Sequence, residues 1–172
     1  MHSLEKNKKV SVSVIRNNFL KNISVKQYDK IVLSPGAGLP HEAGLLMPFI
    51  QEIHKIKPIL GVCLGHQALG LFYGAGLKQL PEVLHGIQLK TTIKSNNYLF
   101  KNIGNSLHTA HYHSWVIDSY QFPNCLEITA QNDAGVIMAI QHKNYDINGI
   151  QFHPESVLTP CGDAILKNWV NA

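Results

Sequence analysis

Arginine is almost missing from this 172-residue chain: Arg16 is the single one among 15 basic residues, and the formal charge of +4 comes from scattered lysines. Without a stripe of Lys and Arg interleaved with aromatics, no nucleic-acid surface is expected. The short cluster Lys6, Lys8, Lys9 reads as a solvated helix end. Cysteine is scarce too: Cys63, Cys125 and Cys161 are far apart, odd in number and without a Cys-x-x-Cys pair, which argues against a disulfide framework and a thiolate zinc site. A reducing compartment follows. No apolar run approaches the roughly 20 residues that cross a bilayer, and Met1-His2-Ser3-Leu4-Glu5-Lys6 lacks the apolar segment of a secretory signal. A soluble, cytoplasmic protein with no membrane contact is the expectation.

What is present is apolar substance: 45% of residues are hydrophobic, enough for one domain with a sizeable core and too little chain for two. Polar residues 4–9 read as the last turns of a helix. Val10, Val12 and Val14 then alternate with polar residues, the period-2 mark of a half-buried strand over residues 10–15. Ile31-Val32-Leu33 is a continuous apolar run, expected to be buried on both faces, and it ends in the turn Ser34-Pro35-Gly36-Ala37-Gly38. Leu45, Leu46, Phe49, Ile50 and Ile53 recur at helical spacing over residues 42–55, with Pro48 tolerated near the first turns. A strand at residues 58–63 and a helix at 65–73 follow. This strand, helix, strand, helix order predicts an α/β fold with a mostly parallel central sheet flanked by helices. In such sheets ligands bind at the carboxyl ends of strands.

The second half changes character. Residues 87–93, 109–117, 126–131, 136–141 and 147–152 are short strand-like runs separated by Asn, Gly, Asp and Pro, the pattern of an antiparallel meander. A closing helix is predicted from Thr159 as N-cap and Pro160 at the first helical position, with Ala164, Ile165, Leu166, Trp169 and Val170 as its apolar face.

Within this frame, Pro58-Ile59-Leu60-Gly61-Val62-Cys63-Leu64-Gly65-His66-Gln67 is a buried strand turning sharply into a helix, with glycines permitting the tight backbone. Cys63 sits at the turn. A cysteine in apolar surroundings is commonly a small buried hydrophobe, but at an elbow the helix's unpaired N–H groups and dipole favour the thiolate. A second motif, Gly149-Ile150-Gln151-Phe152-His153-Pro154-Glu155, delivers a histidine and a carboxylate at the end of the last strand. Taken alone, His153 and Glu155 form an ordinary surface pair. At one sheet edge with Cys63 they supply a nucleophile, a base and an orienting acid, with Pro154 stiffening the turn between the last two. His111 and His113 share one side of a strand and lack a third ligand nearby, so no metal site is expected. His66 is expected to pack beside the elbow.

Taken together, the loop at Ser34-Pro35-Gly36-Ala37-Gly38, the elbow at Cys63 and His153-Pro154-Glu155 resemble the class I (triad) glutamine amidotransferase domain over nearly the whole chain. With Tyr112-His113-Ser114-Trp115 added, the set looks most like component II of anthranilate synthase and the glutaminase subunit of aminodeoxychorismate synthase. The resemblance implies a flavodoxin-like fold and a catalytic triad of Cys63, His153 and Glu155. It places the oxyanion donors at the N–H groups of Leu64 and Gly36, and substrate-binding roles at Gly38, Gln67, Ser114 and Trp115. It also implies glutamine as substrate, no cofactor, and a chorismate-binding synthase subunit as partner. The readings that compete with it are a gamma-glutamyl cysteine hydrolase of the same fold and a non-catalytic partner-binding remnant.

Two departures from the family pattern stand out. Ala37 replaces a proline in the usual Pro-Gly-Pro-Gly loop, which predicts a slightly looser loop. The family also opens with a strand and an Asp-Asn-Tyr-Asp-Ser-Phe-type turn, whereas this sequence begins inside the helix that follows. It therefore reads as one glutamine amidotransferase domain over residues 1–172, shortened at its N-terminus. Loss of a central strand would expose apolar edges and threaten stability and activity.

Overall fold

A computed structural model describes residues 2–5 and 10–172. Its helices are α1 (His2–Glu5), α2 (Leu46–Ile53), α3 (Leu64–Phe72) and α4 (Gly162–Asn171). The strands are β1 (Ile31–Leu33), β2 (Ile59–Val62), β3 (Leu77–Ile93), β4 (Ser106–Ile117), β5 (Leu126–Asn132), β6 (Ile137–His142) and β7 (Ile147–Ile150). All seven form one mixed sheet in the order β1-β2-β7-β6-β5-β3-β4. β1, β2 and β7 run parallel, and every other pairing is antiparallel.

β2 and β7 are buried along their whole length, Asn148 included, because both faces are covered, whereas in edge strand β1 only Leu33 is buried and Ile31 and Val32 are half-buried, short of the burial on both faces expected for that run. In β2, Ile59 packs under α2 and α3 with Ile50, Ile53, Leu69 and Ile147, while Leu60 and Val62 point to the opposite core with Ile150, Phe152, Ile165 and Trp169. α4 caps that second core through Ile165, Leu166 and Trp169. Lys30 ties it to the β1 edge by donating to the Trp169 carbonyl at 2.7 Å. Glycines let α3 lie directly on the sheet. A Cβ at Gly61 would stand 2.6 Å from the Gly65 backbone, and one at Gly65 would stand 2.2 Å from the Leu33 carbonyl oxygen.

Three expectations need correction. Residues 10–15 pair with no strand among the described residues, and Val14 is 72% exposed. Alternation alone does not make a strand when no neighbour supplies the ladder hydrogen bonds. The helix expected over residues 4–9 is present at residues 4 and 5, within α1, and residues 6–9 lie outside the described residues. Thr159 is not the cap of the last helix: α4 begins at Gly162, preceded by Cys161. There the chain passes so close to Pro154 that a Cβ on Gly162 would stand 1.8 Å from the Pro154 carbonyl oxygen. β3 also starts ten residues earlier than the apolar run at 87–93 suggests, crossing Pro81 with register shifts against β4. Among the described residues no helix is long and apolar enough to cross a membrane.

Candidate active site

β2 delivers Cys63 at its carboxyl end, and α3 starts at the next residue. The turn demands φ 52° and ψ −103° at Cys63, a region that residues with a Cβ rarely adopt. Strain of this kind costs about 1–3 kcal/mol and persists only where the surroundings over-determine it. Here they do. The Cys63 N–H donates to the Ile150 carbonyl at 2.9 Å, the Cys63 carbonyl accepts from the Gln67 N–H at 3.0 Å, and the two glycines allow the helix no other seat.

β7 runs beside β2 and continues through Gln151 and Phe152 to His153, so the histidine emerges at the same sheet edge as the cysteine. His153 is pinned by its backbone. Its N–H donates to the Ala110 carbonyl at 3.1 Å, and its carbonyl accepts from the Thr159 hydroxyl at 2.7 Å. The same hydroxyl accepts from the Ala110 N–H at 2.9 Å, so buried Thr159 locks the histidine turn to β4. Thr159→Val keeps the shape but leaves both backbone groups without that partner. It is expected to cost about 1–3 kcal/mol in urea unfolding, with Thr159→Ser close to wild type.

The ring is held on two sides. Nδ1 of His153 is 2.7 Å from Glu155 Oε1, the Tyr112 ring packs edge-on at 5.0 Å, and buried Nε2 is left for the Cys63 side. Burial pulls the His153 pKa down, but the neighbouring Cys63 and the hydrogen bond and negative charge of Glu155 outweigh it, raising it from 6.5 to about 9. Burial acts to raise the pKa of Glu155, yet the hydrogen bond and charge of His153 hold it below the ordinary 4.5. Glu155 is the outer member of the pair, its side chain 47% exposed against 13% for His153.

These shifts set the sign of a pH effect. The stability from protonated His153 is complete below pH 6.5 and fades as pH rises through about 9; that from ionised Glu155 is complete above 4.5 and fades as pH falls through its lowered pKa. The melting-temperature advantage of wild type over Glu155→Gln is therefore expected to be largest near pH 5–6 and to shrink toward about pH 9. A difference that stays level across that upper range would contradict the pairing.

The remaining predicted residues lie on the loop after β1, on α3 and on β4. A Cβ on Gly36 would lie 2.7 Å from Leu64 Cδ2, so the loop after β1 rests on the residue following the cysteine. Gly38 has φ +76°, and the Leu39 N–H next to it is capped by Glu42 Oε2 at 2.9 Å. Gln67 is buried and donates to the Trp115 carbonyl at 2.7 Å, which joins α3 to β4 at the residue after Ser114. His66 is fully buried against β7, where a Cβ on Gly149 would lie 2.6 Å from its Nδ1, and burial lowers its pKa to about 3. His111 and His113 turn to each other rather than to a shared ligand: Nδ1 of the first is 3.0 Å from Nε2 of the second, and His111 Nε2 meets Thr109 at 2.8 Å. Burial keeps both neutral, with pKa values lowered to about 3 and about 4. Among the described residues no group of three potential metal ligands forms. Sequence reasoning missed Thr159 and Tyr112 as supports of His153, because their partners lie 6 and 41 positions away. Gln151 was visible only as a neighbour of the histidine in its motif.

A strained cysteine at a strand-to-helix elbow, facing a histidine–carboxylate pair on the adjacent parallel strand, is an arrangement for acyl transfer through sulfur. The family model for class-I glutamine amidotransferases matches residues 1–172, and the chain belongs to that family. It is 40% identical over 164 residues to anthranilate synthase component 2 of Porphyra purpurea, covering 94% of this chain and 86% of the relative. It is likewise 40% identical over 142 residues to aminodeoxychorismate synthase component 2 of Klebsiella aerogenes, covering 83% and 75%. A crystal structure of a glutamine amidotransferase from Methylobacillus flagellatus shares the fold, with a TM-score of 0.78 at 11% identity over 99% of this chain and 88% of that one.

Proposed function

We propose that residues 1–172 form a single glutamine amidotransferase domain that works as the glutaminase subunit of a chorismate-using synthase. The observation that carries the chemistry is His153, with Glu155 on one ring nitrogen and Cys63 facing the other. The partner reading rests on relatives named as component 2 of anthranilate and aminodeoxychorismate synthases.

In this reading the Cys63 sulfur, its proton passed to His153 Nε2, attacks the side-chain carbonyl carbon of glutamine. A C–S bond forms, and the carbonyl π electrons move onto oxygen. That oxyanion needs two fixed donors, and the Leu64 N–H supplies one; the other is the Gly36 N–H, on the loop that rests against Leu64. Collapse expels nitrogen, which takes the imidazolium proton and leaves as ammonia, so a thioester remains. Water then gives a proton to His153 and attacks the thioester, and the sulfur leaves and is reprotonated. Glutamate and the starting thiol result. Glu155 keeps the ring in the tautomer and orientation that both halves need. Gly38, Gln67, Ser114 and Trp115 hold the glutamyl end of the substrate.

Ammonia then serves the synthase subunit, which aminates chorismate. Reconstitution with each candidate synthase subunit, with the aromatic product identified, tests the proposal. Glutamine-dependent formation of anthranilate or aminodeoxychorismate is expected. Turnover of gamma-glutamyl peptides without response to either subunit would point to a free-standing hydrolase instead.

A further inference from the structure

The sulfur of Cys63 has a second neighbour that the chemistry above does not use. Gln151 is fully buried, one residue past β7, with its backbone N–H donating to the Met138 carbonyl at 2.9 Å. Burying a carboxamide is unfavourable unless its polar atoms are bonded. Its Nε2 lies 3.7 Å from Cys63 Sγ, and its Oε1 accepts from Gln67 Nε2 at 3.2 Å.

The orientation of this chain of amides is imposed from its far end. The Trp115 carbonyl can only accept, so the end of Gln67 that meets it at 2.7 Å must be the NH2 group. The second proton of that group needs an acceptor, which must be the oxygen of Gln151. The NH2 of Gln151 is then turned to the sulfur, where an N–H donor stabilises a thiolate more than a thiol. We infer that Gln151 is a positioning residue that presents an N–H to the Cys63 sulfur and locks it to Gln67, so that nucleophile and glutamine-binding side chain are set as one unit. This rests on the glutaminase reading for its purpose, but not for its test.

The test is the rate of Cys63 alkylation by iodoacetamide as a function of pH, followed on the Cys63 peptide by mass spectrometry so that Cys125 and Cys161 do not contribute. Gln151→Met keeps the bulk and removes the donor. At pH 7 alkylation is expected to slow about tenfold, with the pH profile displaced upward. Gln151→Glu retains an acceptor for Gln67 but sets a carboxylate against the sulfur, and is expected to slow alkylation further. In a Gln67→Met background, where nothing orients the second amide, the effect of Gln151→Met is expected to shrink. Profiles for both Gln151 variants that superpose on wild type, with melting temperatures unchanged, would overturn the inference. Should Gln151→Met fail to fold, the isosteric Glu variant decides alone. Because alkylation needs no glutamine, failure of the glutaminase reading shows separately, as a wild type that never hydrolyses glutamine while the Gln151 effect persists.

Discussion

Cys63→Ala is expected to lower glutamine-dependent amination by the reconstituted complex about a thousandfold or more, leaving amination from added ammonium salts at the wild-type rate. The split follows from where the residue acts. Removing the sulfur deletes the covalent intermediate. The buried volume changes little: Cys63 lies among Leu60, Val62, Ile150 and Phe152, and alanine is smaller by one sulfur atom. The turn is not relieved either, because alanine at φ 52° bears the same Cβ penalty as cysteine. The fold is therefore expected to survive, and ammonia supplied from solution bypasses the lost step. Loss of both activities would mean that the substitution disrupts the complex. Retention of both would make this chain a binding module whose cysteine is only a packed side chain.

The largest effect on stability is expected at Gly65. Alanine improves intrinsic helix propensity by about 1 kcal/mol relative to glycine, so on propensity alone Gly65→Ala would stabilise α3. Packing decides otherwise. The added methyl would lie 2.2 Å from the Leu33 carbonyl oxygen and 2.7 Å from Leu33 Cβ, which are parts of β1 and not the free end of a flexible chain. Relief requires lifting the start of α3 from the sheet, which disturbs Cys63 and the contacts of Leu64, Ala68 and Leu69 with the core. A net loss of about 3 kcal/mol or more is expected in urea denaturation, at the upper end of what overpacking costs. Gly76→Ala is the control: its nearest neighbour would be Asp118 Cβ at 3.7 Å, so a change within about 0.5 kcal/mol is expected. A Gly65→Ala protein as stable as wild type would show that α3 is not seated by backbone contact.

How much of this was legible beforehand differs by residue. The elbow could be read because its signals are local: an apolar run, two glycines and a cysteine between them determine a buried strand, a sharp turn and a helix within ten positions. The histidine and carboxylate were legible for the same reason, being two positions apart at the end of an apolar strand. The valine alternation at residues 10–15 is equally local, yet it misled. Period-2 patterning states which face a strand would bury, not whether a neighbour exists to pair with it. Thr159 misled in the opposite direction. A threonine before Pro160 fits a helix cap, but its hydroxyl is occupied by His153 and Ala110, and the close pass of Gly162 against Pro154 delays the helix.

By itself the sequence determined the chemistry on offer: a cysteine presented at a strained turn, a histidine with its carboxylate, and glycines where backbones must touch. Only the tertiary structure decided that these meet. β2 and β7 lie 88 positions apart between Ile59 and Ile147 and become neighbours through a parallel pairing that no local pattern encodes. That pairing sets His153 beside Cys63, and it brings Gln151 between the sulfur and Gln67. The physical reason is range: side-chain periodicity and turn propensity act over a few residues, whereas hydrogen-bond partners across a sheet are chosen by which buried faces fit together.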